Sequence, residues 1–337
     1  MNVLHSAFSR TAARRRHLDQ GNLLRSLTLV INGVPGGINL GQGVCDLDSP
    51  EPLVKGAIAS IGGEDRQLYT PYAGLPELRE AIASKLRRHN GLDYTAKNVA
   101  VCTGSSGAFF AAGMTLFEPG NPSGKVWTTA ELAELGRVLA GTDIAVLTDE
   151  VYEYMCFDGR KHVSPATVPE LAERTLTMNS FSKTFSVTGW RIGFLAGHEE
   201  IVEKCGVAFD QMEVCAARPM QRGVQRALEQ LPDSFYTDLQ QEYQEKRDLF
   251  CAALRDAGFK FDVPQGAYYV LADYTDVFGD IPSYDAVMTM IERIGVNAVP
   301  GHLFFAESDD VRCMRFQFAV ERSVLTDAAE RLRSLAR

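Results

Sequence analysis

Short apolar segments alternate with amphipathic helical patterns through the middle of the chain. Residues 98–104, NVAVCTG, predict a buried strand that runs into glycine, and the following SSGAFFAAGMTLF has the pattern of a helix. A second helical pattern covers 128–140, where Thr128 and Glu131 form a capping box, and the apolar segment IAVLTDE follows at 144–150. Strands that alternate with helices predict an α/β fold with a largely parallel sheet.

Further segments extend this pattern on both sides. EPLVKGAIASI (51–61) and PELREAIASKLRRH (76–89) predict helices, and RTLTMNSFS and RIGFLAG predict two more strands. A long amphipathic helix is expected from about 233 to 257. It would lead into a second domain that mixes strands (AYYVLADY, RCMRFQFAV) with helices (YDAVMTMIERI, LTDAAERLRSLA).

The composition argues against several classes of protein. The 337 residues carry a net charge of −9, which disfavours general binding of nucleic acid, and no apolar run approaches the ~20 residues of a membrane span. The seven cysteines show no CxxC pair and the six histidines no metal-binding spacing, so we expect reduced thiols, a cytoplasmic protein and no metal site. The arginine-rich start, MNVLHSAFSRTAARRRHL, has the composition of a transit peptide, but a basic arm on the folded protein is the simpler interpretation.

The segment NSFSKTFSVTGWRIGF (179–194) surrounds Lys183 with hydroxyl side chains and places Arg191 eight positions later. SFSK matches the S-x-x-K pattern of serine acyl-enzymes, but the S-D-N and K-T-G strings that those enzymes need are absent from the sequence. GNPSGKV (120–126) is one residue too short for a phosphate loop and has Val126 where a magnesium-binding hydroxyl should stand. TGSSGAF is not a G-x-S-x-G elbow, because Ala108 holds the last glycine position.

A lysine amine can instead condense with an aldehyde, and the aldehyde cofactor of amino-acid chemistry carries a phosphate, a phenolic oxygen and a pyridine nitrogen. The phosphate needs a guanidinium, hydroxyl groups and backbone N–H groups at the start of a helix. The candidates for these groups are Arg191, Ser180 and the turn formed by Gly104, Ser105 and Ser106.

The other two groups of this cofactor also have candidate partners. Asp149, at the end of the strand IAVLTDE, would keep the pyridine nitrogen protonated so that the ring can withdraw electrons. Asn121 and Tyr152 offer an amide and a hydroxyl to the phenolic oxygen. The predicted catalytic residues are therefore Lys183, Asp149 and Tyr152.

Over nearly its whole length the chain resembles the class I/II aminotransferases of the fold-type-I pyridoxal-phosphate enzymes. The segments that match that family, in order, are INLGQGVCDLDSPEPL, QLYTPYAGLPELREAI, NPSGKVW, TDEVYEY, SFSKTFSVTGWRIGF, QGAYYVL, VPGHLFF and RCMRFQFA. NPSG alone is a common turn, and a D-x-x-Y pair is usually a strand end. SFSKTFSVTGWRIGF is highly specific, and the ordered set makes coincidence implausible.

The resemblance implies roles for further residues. Gly43 would lie near the substrate carboxylate, Asn121 would also contact the substrate, and Arg315 would bind the substrate α-carboxylate. Tyr69 would reach the cofactor phosphate of a neighbouring subunit, which implies an obligate homodimer with two shared active sites. The neutral lining available from GQGVCDL and Tyr72 favours apolar or aromatic amino-acid donors.

The resemblance also implies a domain organisation. A large domain with a mostly parallel sheet would be joined by a smaller α/β domain built from both ends of the chain. Residues 1–40 would form the N-terminal arm and part of the small domain, 41–232 the large cofactor-binding domain, and 233–337 the C-terminal small domain.

The implied activity is transfer of an amino group from an α-amino acid to a 2-oxo acid. Lys183 would hold pyridoxal phosphate as an internal aldimine and, once freed, would move the proton at Cα. A C–S lyase or a cyclising synthase could use the same site, and no residue distinguishes them. The long segment that the family carries between MTLFEPG and NPSGKV is absent, since Asn121 directly follows Gly120. Its absence leaves open a third alternative, an inactive variant that serves as a binding or scaffold protein.

Overall fold

The structure is a computed structural model that describes residues 26–43, 45, 47–65, 68–113, 124–305 and 311–336. Three expectations lie outside these residues: the basic N-terminal segment, the contacts of Asn121 and the junction between Gly120 and Asn121. No helix in the described part of the chain is both long and apolar enough to cross a membrane.

Helices and strands alternate as the sequence predicts. After a helical segment at 26–32, the α-helices are α1 (Glu51–Ala59), α2 (Pro76–Lys85), α3 (Gly104–Gly113), α4 (Thr129–Val138), α5 (Phe181–Thr184), α6 (Glu199–Glu213), α7 (Arg218–Gln230), α8 (Asp233–Asp256), α9 (Thr275–Phe278), α10 (Ser283–Ile294) and α11 (Arg322–Arg333). The strands are β1 (Ile38–Asn39), β2 (Val99–Cys102), β3 (Val146–Asp149), β4 (Thr175–Ser180), β5 (Gly193–Ala196), β6 (Tyr269–Asp273), β7 (Val296–Asn297), β8 (Val299–Pro300) and β9 (Cys313–Gln317). π-Helical turns at Ser60–Glu64 and Leu86–Asn90 continue α1 and α2.

The sheet that carries most of the candidate residues has the strand order β2–β5–β4–β3. β3 and β4 are parallel, whereas β5 is antiparallel to both β2 and β4. Only β5 is therefore reversed among these four strands, and the expected α/β fold with a mostly parallel sheet is confirmed. The C-terminal part forms an antiparallel sheet with the order β6–β9–β8, and β1 pairs in parallel with β7.

The capping box predicted at the start of α4 is present. Thr128 Oγ1 accepts a hydrogen bond from the backbone N–H of Glu131 at 3.3 Å, and the Glu131 carboxylate accepts one from the backbone N–H of Thr128 at 2.9 Å. Two otherwise unpaired N–H groups of the helix start are satisfied in this way. The helix therefore begins where local sequence chemistry directs it.

Buried apolar side chains from both ends of the chain share one core. Leu27, Ile31 and Leu40 pack in the same cluster as α8, α10, α11 and the β6–β9–β8 sheet, together with Met155 and Phe157 from the middle of the chain. A second cluster packs α1, α2 and α7 against β2 and β5. A shared core of this kind agrees with a small domain made from both termini, while the boundaries at 40/41 and 232/233 stay a prediction.

α7 is missing from the elements predicted above, although Met220, Val224 and Leu228 recur at helical spacing along it. The Gln221 side chain is fully buried and donates from Nε2 to the Ala216 carbonyl at 2.8 Å and to Thr70 Oγ1 at 3.1 Å. Its Oε1 accepts a hydrogen bond from the backbone N–H of Leu75 at 2.8 Å. A buried glutamine is acceptable only with such partners, and two of them, Thr70 and Leu75, come from a distant part of the chain.

Candidate active site

The carboxyl ends of strands in the β2–β5–β4–β3 sheet meet at one edge. Asp149 ends β3, Ser180 ends β4, and Gly104 begins the helix that follows β2. Because β5 runs the opposite way, its first residue, Gly193, lies at the same edge and pairs with Ser180. Arg191 precedes Gly193 by two residues. Open α/β sheets bind their ligands at this edge, so the fold brings these candidates to a suitable place.

Gly104 lies directly against the guanidinium of Arg191. Its φ is +72°, and a Cβ atom here would lie 2.6 Å from Arg191 Nη2 and 3.0 Å from Cζ. Any residue with a side chain would be strained in its backbone and would displace the guanidinium. Arg191 also has a positive φ of 55°, and its Nη1 donates to the Thr188 carbonyl at 3.2 Å. Glycine at position 104 therefore allows a cation to lie beside the first turn of α3.

Ser180 caps the short helical turn that carries Lys183. Its Oγ accepts a hydrogen bond from the backbone N–H of Ser182 at 3.2 Å and donates to the Ile192 carbonyl at 3.2 Å. The Ser182 hydroxyl lies 2.6 Å from the same oxygen. These contacts fix the turn relative to β5, so the buried hydroxyls and Lys183 keep a constant relative position.

The Lys183 amine is half-buried and forms no ion pair within the described ranges. Nζ donates to the Gly43 carbonyl at 3.1 Å and lies 5.1 Å from the ring centre of Tyr268. Gly43 must be a glycine here, since a Cβ atom would lie 2.4 Å from Tyr269 Oη and 2.9 Å from Tyr268 Oη. The groups in direct contact with the amine are therefore neutral, although the Asp149 carboxyl group is close enough to interact with it electrostatically.

Asp149 is exposed to a cavity of about 760 Å³. Its carboxylate accepts hydrogen bonds from the backbone N–H of Val151 at 3.3 Å and from the Ser105 hydroxyl. The protein around the carboxyl raises the pKa of Asp149 and the charge of Glu150 adds to this, while the two hydrogen bonds and Lys183 act in the opposite direction. A cation placed in the cavity beside Asp149, such as a protonated ring nitrogen, would stabilise the charged form of the carboxyl group. Two further candidate residues that line this cavity are Ser106 and Tyr152.

Three tyrosines meet beside Lys183, and the sequence analysis assigned a role to only one of them. Tyr152 Oη donates to Tyr269 Oη at 3.2 Å, and Tyr268 Oη donates to the Gly43 carbonyl at 3.3 Å. Burial raises the pKa of Tyr152 well above its ordinary value, so its hydroxyl stays protonated and can donate. The doubled tyrosine in QGAYYVL is the sequence signal that could have identified the other two.

Arg315 lies between two aromatic rings near the same site. Its guanidinium carbon is 4.1 Å from the ring centre of Tyr269 and 4.6 Å from that of Phe304. Its Nε is buried and has no hydrogen-bond partner among the residues that the structure describes. An unpaired buried donor of this kind is costly, and a carboxylate that binds bidentately would satisfy it.

Tyr69 does not join this set. Its side chain is 79% exposed and does not line the cavity, so it is not a half-buried tyrosine that packs within its own subunit. Its backbone carbonyl accepts a hydrogen bond from Arg218 Nη2 at 3.1 Å. Asn121 lies outside the described residues.

The residues at this sheet edge fit pyridoxal phosphate. Gly104 leaves a space beside the Arg191 guanidinium that a Cβ atom would fill. The buried Nε of Arg315, which has no partner among the described residues, could donate to an anionic group. The donor set of amine, guanidinium, hydroxyls and carboxylate matches the groups of the cofactor and its amino-acid substrate. Within the described residues, no group of three or more His, Cys, Asp or Glu side chains is placed to hold a metal ion.

The model of the aminotransferase class I and II family matches residues 35–120 and 112–332. The chain belongs to this family. It is 29% identical to "Aromatic-amino-acid aminotransferase 2" of Thermococcus litoralis over 381 residues, which cover 92% of this chain and 94% of the relative. It is 30% identical to the "Probable aspartate/prephenate aminotransferase" of Rhizobium leguminosarum bv. phaseoli, over 88% of this chain and 90% of the relative. The solved N-succinyldiaminopimelate aminotransferase of Mycobacterium tuberculosis superposes with a TM-score of 0.86 at 28% identity, over 93% of this chain and 97% of that one.

Membership establishes the chemistry of the class. The chain is a fold-type-I aminotransferase that depends on pyridoxal phosphate and transfers amino groups between amino acids and 2-oxo acids. The family match is split into two parts that overlap at 112–120, and the 381 aligned residues exceed the 337 of this chain. The Thermococcus relative therefore has residues for which this aminotransferase has no counterpart.

Proposed function

We propose that Lys183, Asp149 and Tyr152 carry out the amino-group transfer of this aminotransferase. The observation that supports this most strongly is the Lys183 amine, which is half-buried, forms no ion pair within the described residues and donates to a neutral carbonyl. A lysine kept for charge pairing would face a carboxylate. A lysine that forms a covalent bond needs a neutral environment such as this one.

Each group of the cofactor would have a partner among these residues. Pyridoxal phosphate, when bound, supplies a carbonyl carbon that reacts with amines and a ring that withdraws electrons from the substrate. Arg191, Ser180 and the first turn of α3, with its serine hydroxyls, would bind the phosphate. Asp149 would hold the proton on the pyridine nitrogen, and Tyr152 and Asn121 would donate to the phenolic oxygen.

Lys183 has two tasks in this proposal. It would hold the cofactor through a covalent bond from Nζ, and once Nζ is free of that bond it would accept the proton from the substrate Cα. The Gly43 carbonyl and the ring of Tyr268 restrict where Nζ can lie. Tyr152 keeps its proton because its pKa is raised by burial, so it acts as a hydrogen-bond donor and not as the base.

Arg315 would bind the α-carboxylate of the substrate, with Gly43 and Asn121 close to it. The rings of Tyr269 and Phe304 hold the guanidinium in one plane, as bidentate binding requires. Apart from the Lys183 amine, Cys45 and Tyr268 lie near Gly43, and both are neutral groups. We therefore propose apolar or aromatic amino acids as donors, although relatives are named for aromatic, aspartate and prephenate substrates alike.

Two measurements test these assignments. Borohydride reduction followed by peptide mapping should place the cofactor on Lys183, and label on another lysine would refute the assignment. A screen of amino-acid donors with 2-oxoglutarate or pyruvate should show the highest kcat/KM for apolar or aromatic side chains. A strong preference for aspartate would mean that a cationic group near the substrate side chain has been overlooked.

We also propose a homodimer in which Tyr69 reaches the cofactor phosphate of the partner subunit. Several large apolar side chains in this part of the sequence are exposed: Ile58 (62%), Ile61 (61%), Leu68 (64%) and Tyr69 itself (79%). A partner subunit that covered them would bury apolar surface, and a two-fold contact would complete both sites at once. Sedimentation at low concentration should show a dimer, and Tyr69→Phe should weaken cofactor binding by about 1.5–3 kcal/mol if the contact is buried. A fully active monomer would end this proposal.

The absence of the family segment after Gly120 bears on activity. β3 lies at the edge of its sheet as described, and its residues are less buried than those of β2, β4 and β5. We propose that the residues present in the relatives would cover this edge and that the chain binds its cofactor without them. Purified protein should be yellow, whereas protein that stays colourless with added cofactor would favour a binding or scaffold protein.

We propose a cytoplasmic location, since all seven cysteines are free thiols. The domain division into 1–40, 41–232 and 233–337 is proposed on the shared core described above. Limited proteolysis checks the division: cleavage should fall near 40 or 232 before it falls within either core. Fractionation of cells with an antibody against the protein checks the location, and recovery only from an organelle would contradict it.

A further inference from the structure

A buried ion pair lies directly behind the turn that carries Ser180 and Lys183. Lys85 belongs to α2 and Glu153 follows β3, and their side chains are 2% and 5% exposed. Lys85 Nζ lies 2.5 Å from both carboxylate oxygens of Glu153. Removing two charges from water is costly, and such a pair often stabilises a fold no more than apolar residues would. Stability alone is therefore a poor explanation for this pair.

The Glu153 carboxylate is fully hydrogen-bonded. Oε1 accepts from Asn179 Nδ2 at 2.8 Å and Oε2 accepts from Asn90 Nδ2 at 2.8 Å, in addition to the two contacts with Lys85. Burial by itself raises the pKa of Glu153, but the charges of Lys85 and His162 and the hydrogen bonds outweigh it and leave the pKa lowered. The group is thus a fixed, charged acceptor.

Asn179 links this acceptor to the active site. It is a buried residue of β4, and its Oδ1 accepts a hydrogen bond from the backbone N–H of Ser180 at 2.7 Å. Its Nδ2 is the group that Glu153 holds, so both ends of the amide are used. The next residue, Ser180, caps the turn that bears Lys183 and pairs with Gly193 beside Arg191.

We propose that Glu153 is a positioning residue for the cofactor phosphate. Through Asn179 it fixes the backbone at Ser180, so that the Ser180 hydroxyl and the Lys183 turn keep their places beside Arg191. Lys85 and Asn90 hold Glu153 itself in one orientation. The inference rests on the proposed role of Ser180 and Lys183 in binding pyridoxal phosphate.

A double-mutant cycle between Glu153 and Asn179 tests the link. In Glu153→Gln one oxygen becomes an amide that must face another donor, from Asn179 or from Asn90. In Asn179→Asp the new carboxylate faces the carboxylate of Glu153, so the hydrogen bond between the two side chains is lost. The double variant restores the hydrogen bond between the two side chains in the opposite direction. The amide introduced by Glu153→Gln donates to the carboxylate introduced by Asn179→Asp, which still accepts from the Ser180 N–H. The affinity of the full-length protein for pyridoxal phosphate and the ³¹P NMR signal of the bound cofactor are measured for all four proteins.

Each single variant should bind pyridoxal phosphate about tenfold more weakly and should shift or broaden the ³¹P signal, and the double variant should recover most of the affinity. Single variants that lower Tm while affinity and the ³¹P signal stay unchanged would show a purely structural role and overturn the proposal. Effects that simply add in the double variant would overturn it as well. If a single variant does not fold, Asn179→Ala, which leaves the pair of Lys85 and Glu153 intact, should still bind about tenfold more weakly.

Arg247 provides a matched control. Its buried guanidinium makes two 2.7 Å contacts with the half-exposed carboxylate of Asp158. Arg247→Met should lower Tm without changing cofactor affinity, and a loss of affinity there would mean that the loss of any ion pair with a buried partner has this effect. The wild-type protein separates the two proposals: no binding by wild type refutes the proposed cofactor contacts, whereas binding by wild type without coupling refutes only the role of Glu153.

Discussion

Replacement of Gly104 by alanine should weaken cofactor binding as well as the fold. Two costs follow from the structure. The backbone at this position has φ +72°, a conformation that residues with a side chain rarely adopt, and the new Cβ atom would lie 2.6 Å from Arg191 Nη2. The guanidinium must therefore move away from the first turn of α3.

The two costs have different sizes and different consequences. The left-handed backbone costs about 1–2 kcal/mol and acts on the free energy of unfolding. Displacement of the guanidinium removes a charge-assisted hydrogen bond to the phosphate, which contributes about 1.5–3 kcal/mol to binding. Since about 1.4 kcal/mol corresponds to a tenfold change, the dissociation constant of pyridoxal phosphate should rise about ten- to one-hundredfold.

Gly159 provides the control that separates these costs. Its φ of +73° almost equals that of Gly104, but a Cβ atom there would have no neighbour within 4 Å. Both alanine variants should therefore lose a similar unfolding free energy in urea titrations. Only Gly104→Ala should bind pyridoxal phosphate more weakly, as measured by titration of cofactor-free protein and followed by absorbance.

The reasoning fails if Gly104→Ala binds the cofactor with the affinity of wild type. Arg191 would then tolerate the displacement or would not contact the phosphate. It also fails if Gly159→Ala loses as much affinity as Gly104→Ala, because the effect would then come from general loss of stability.

Three further predictions concern the ring, the substrate and the pH dependence of stability. Asp149→Asn should lower kcat about 10²–10³-fold in steady-state assays, because the charge that faces the pyridine nitrogen is lost, and an unchanged kcat would contradict that role. Arg315→Lys should raise KM for the amino-acid donor about tenfold or more without changing cofactor affinity, since lysine cannot bind a carboxylate bidentately. If KM and the dissociation constant of the cofactor rose equally, Arg315 would not be specific for the substrate carboxylate. Burial by itself lowers the pKa of His162, but Glu150 Oε2 at 2.6 Å outweighs it and raises the pKa above the ordinary 6.5. This pair therefore stabilises the fold fully below about pH 6.5 and loses that contribution as the pH rises through the raised value, so the Tm difference between wild type and His162→Gln should shrink with rising pH. A difference that grows with pH would refute the assignment.

The sequence by itself determined the class of fold and the order of its elements. Strand and helix patterns predicted β2 to β5, α1 to α4 and the long α8, because these patterns depend on residues only a few positions apart. The capping box of Thr128 and Glu131 is a contact of the same short range, and the structure confirms it. The motif around Lys183 identified the family for the same reason, since its chemistry lies within one segment.

Tertiary structure alone decided the contacts that connect these segments. Glu153 contacts Lys85 from 68 positions away, and the Tyr268 hydroxyl reaches the Gly43 carbonyl across 225 positions. The buried Gln221 of α7 bonds to Leu75 and Thr70, which lie 146 and 151 positions away and which no local pattern reveals. Strand order and register determine which atoms meet, and both are properties of the whole packed chain. A side chain such as Arg315 therefore shows its unpaired Nε and its two aromatic neighbours only after folding has placed them together.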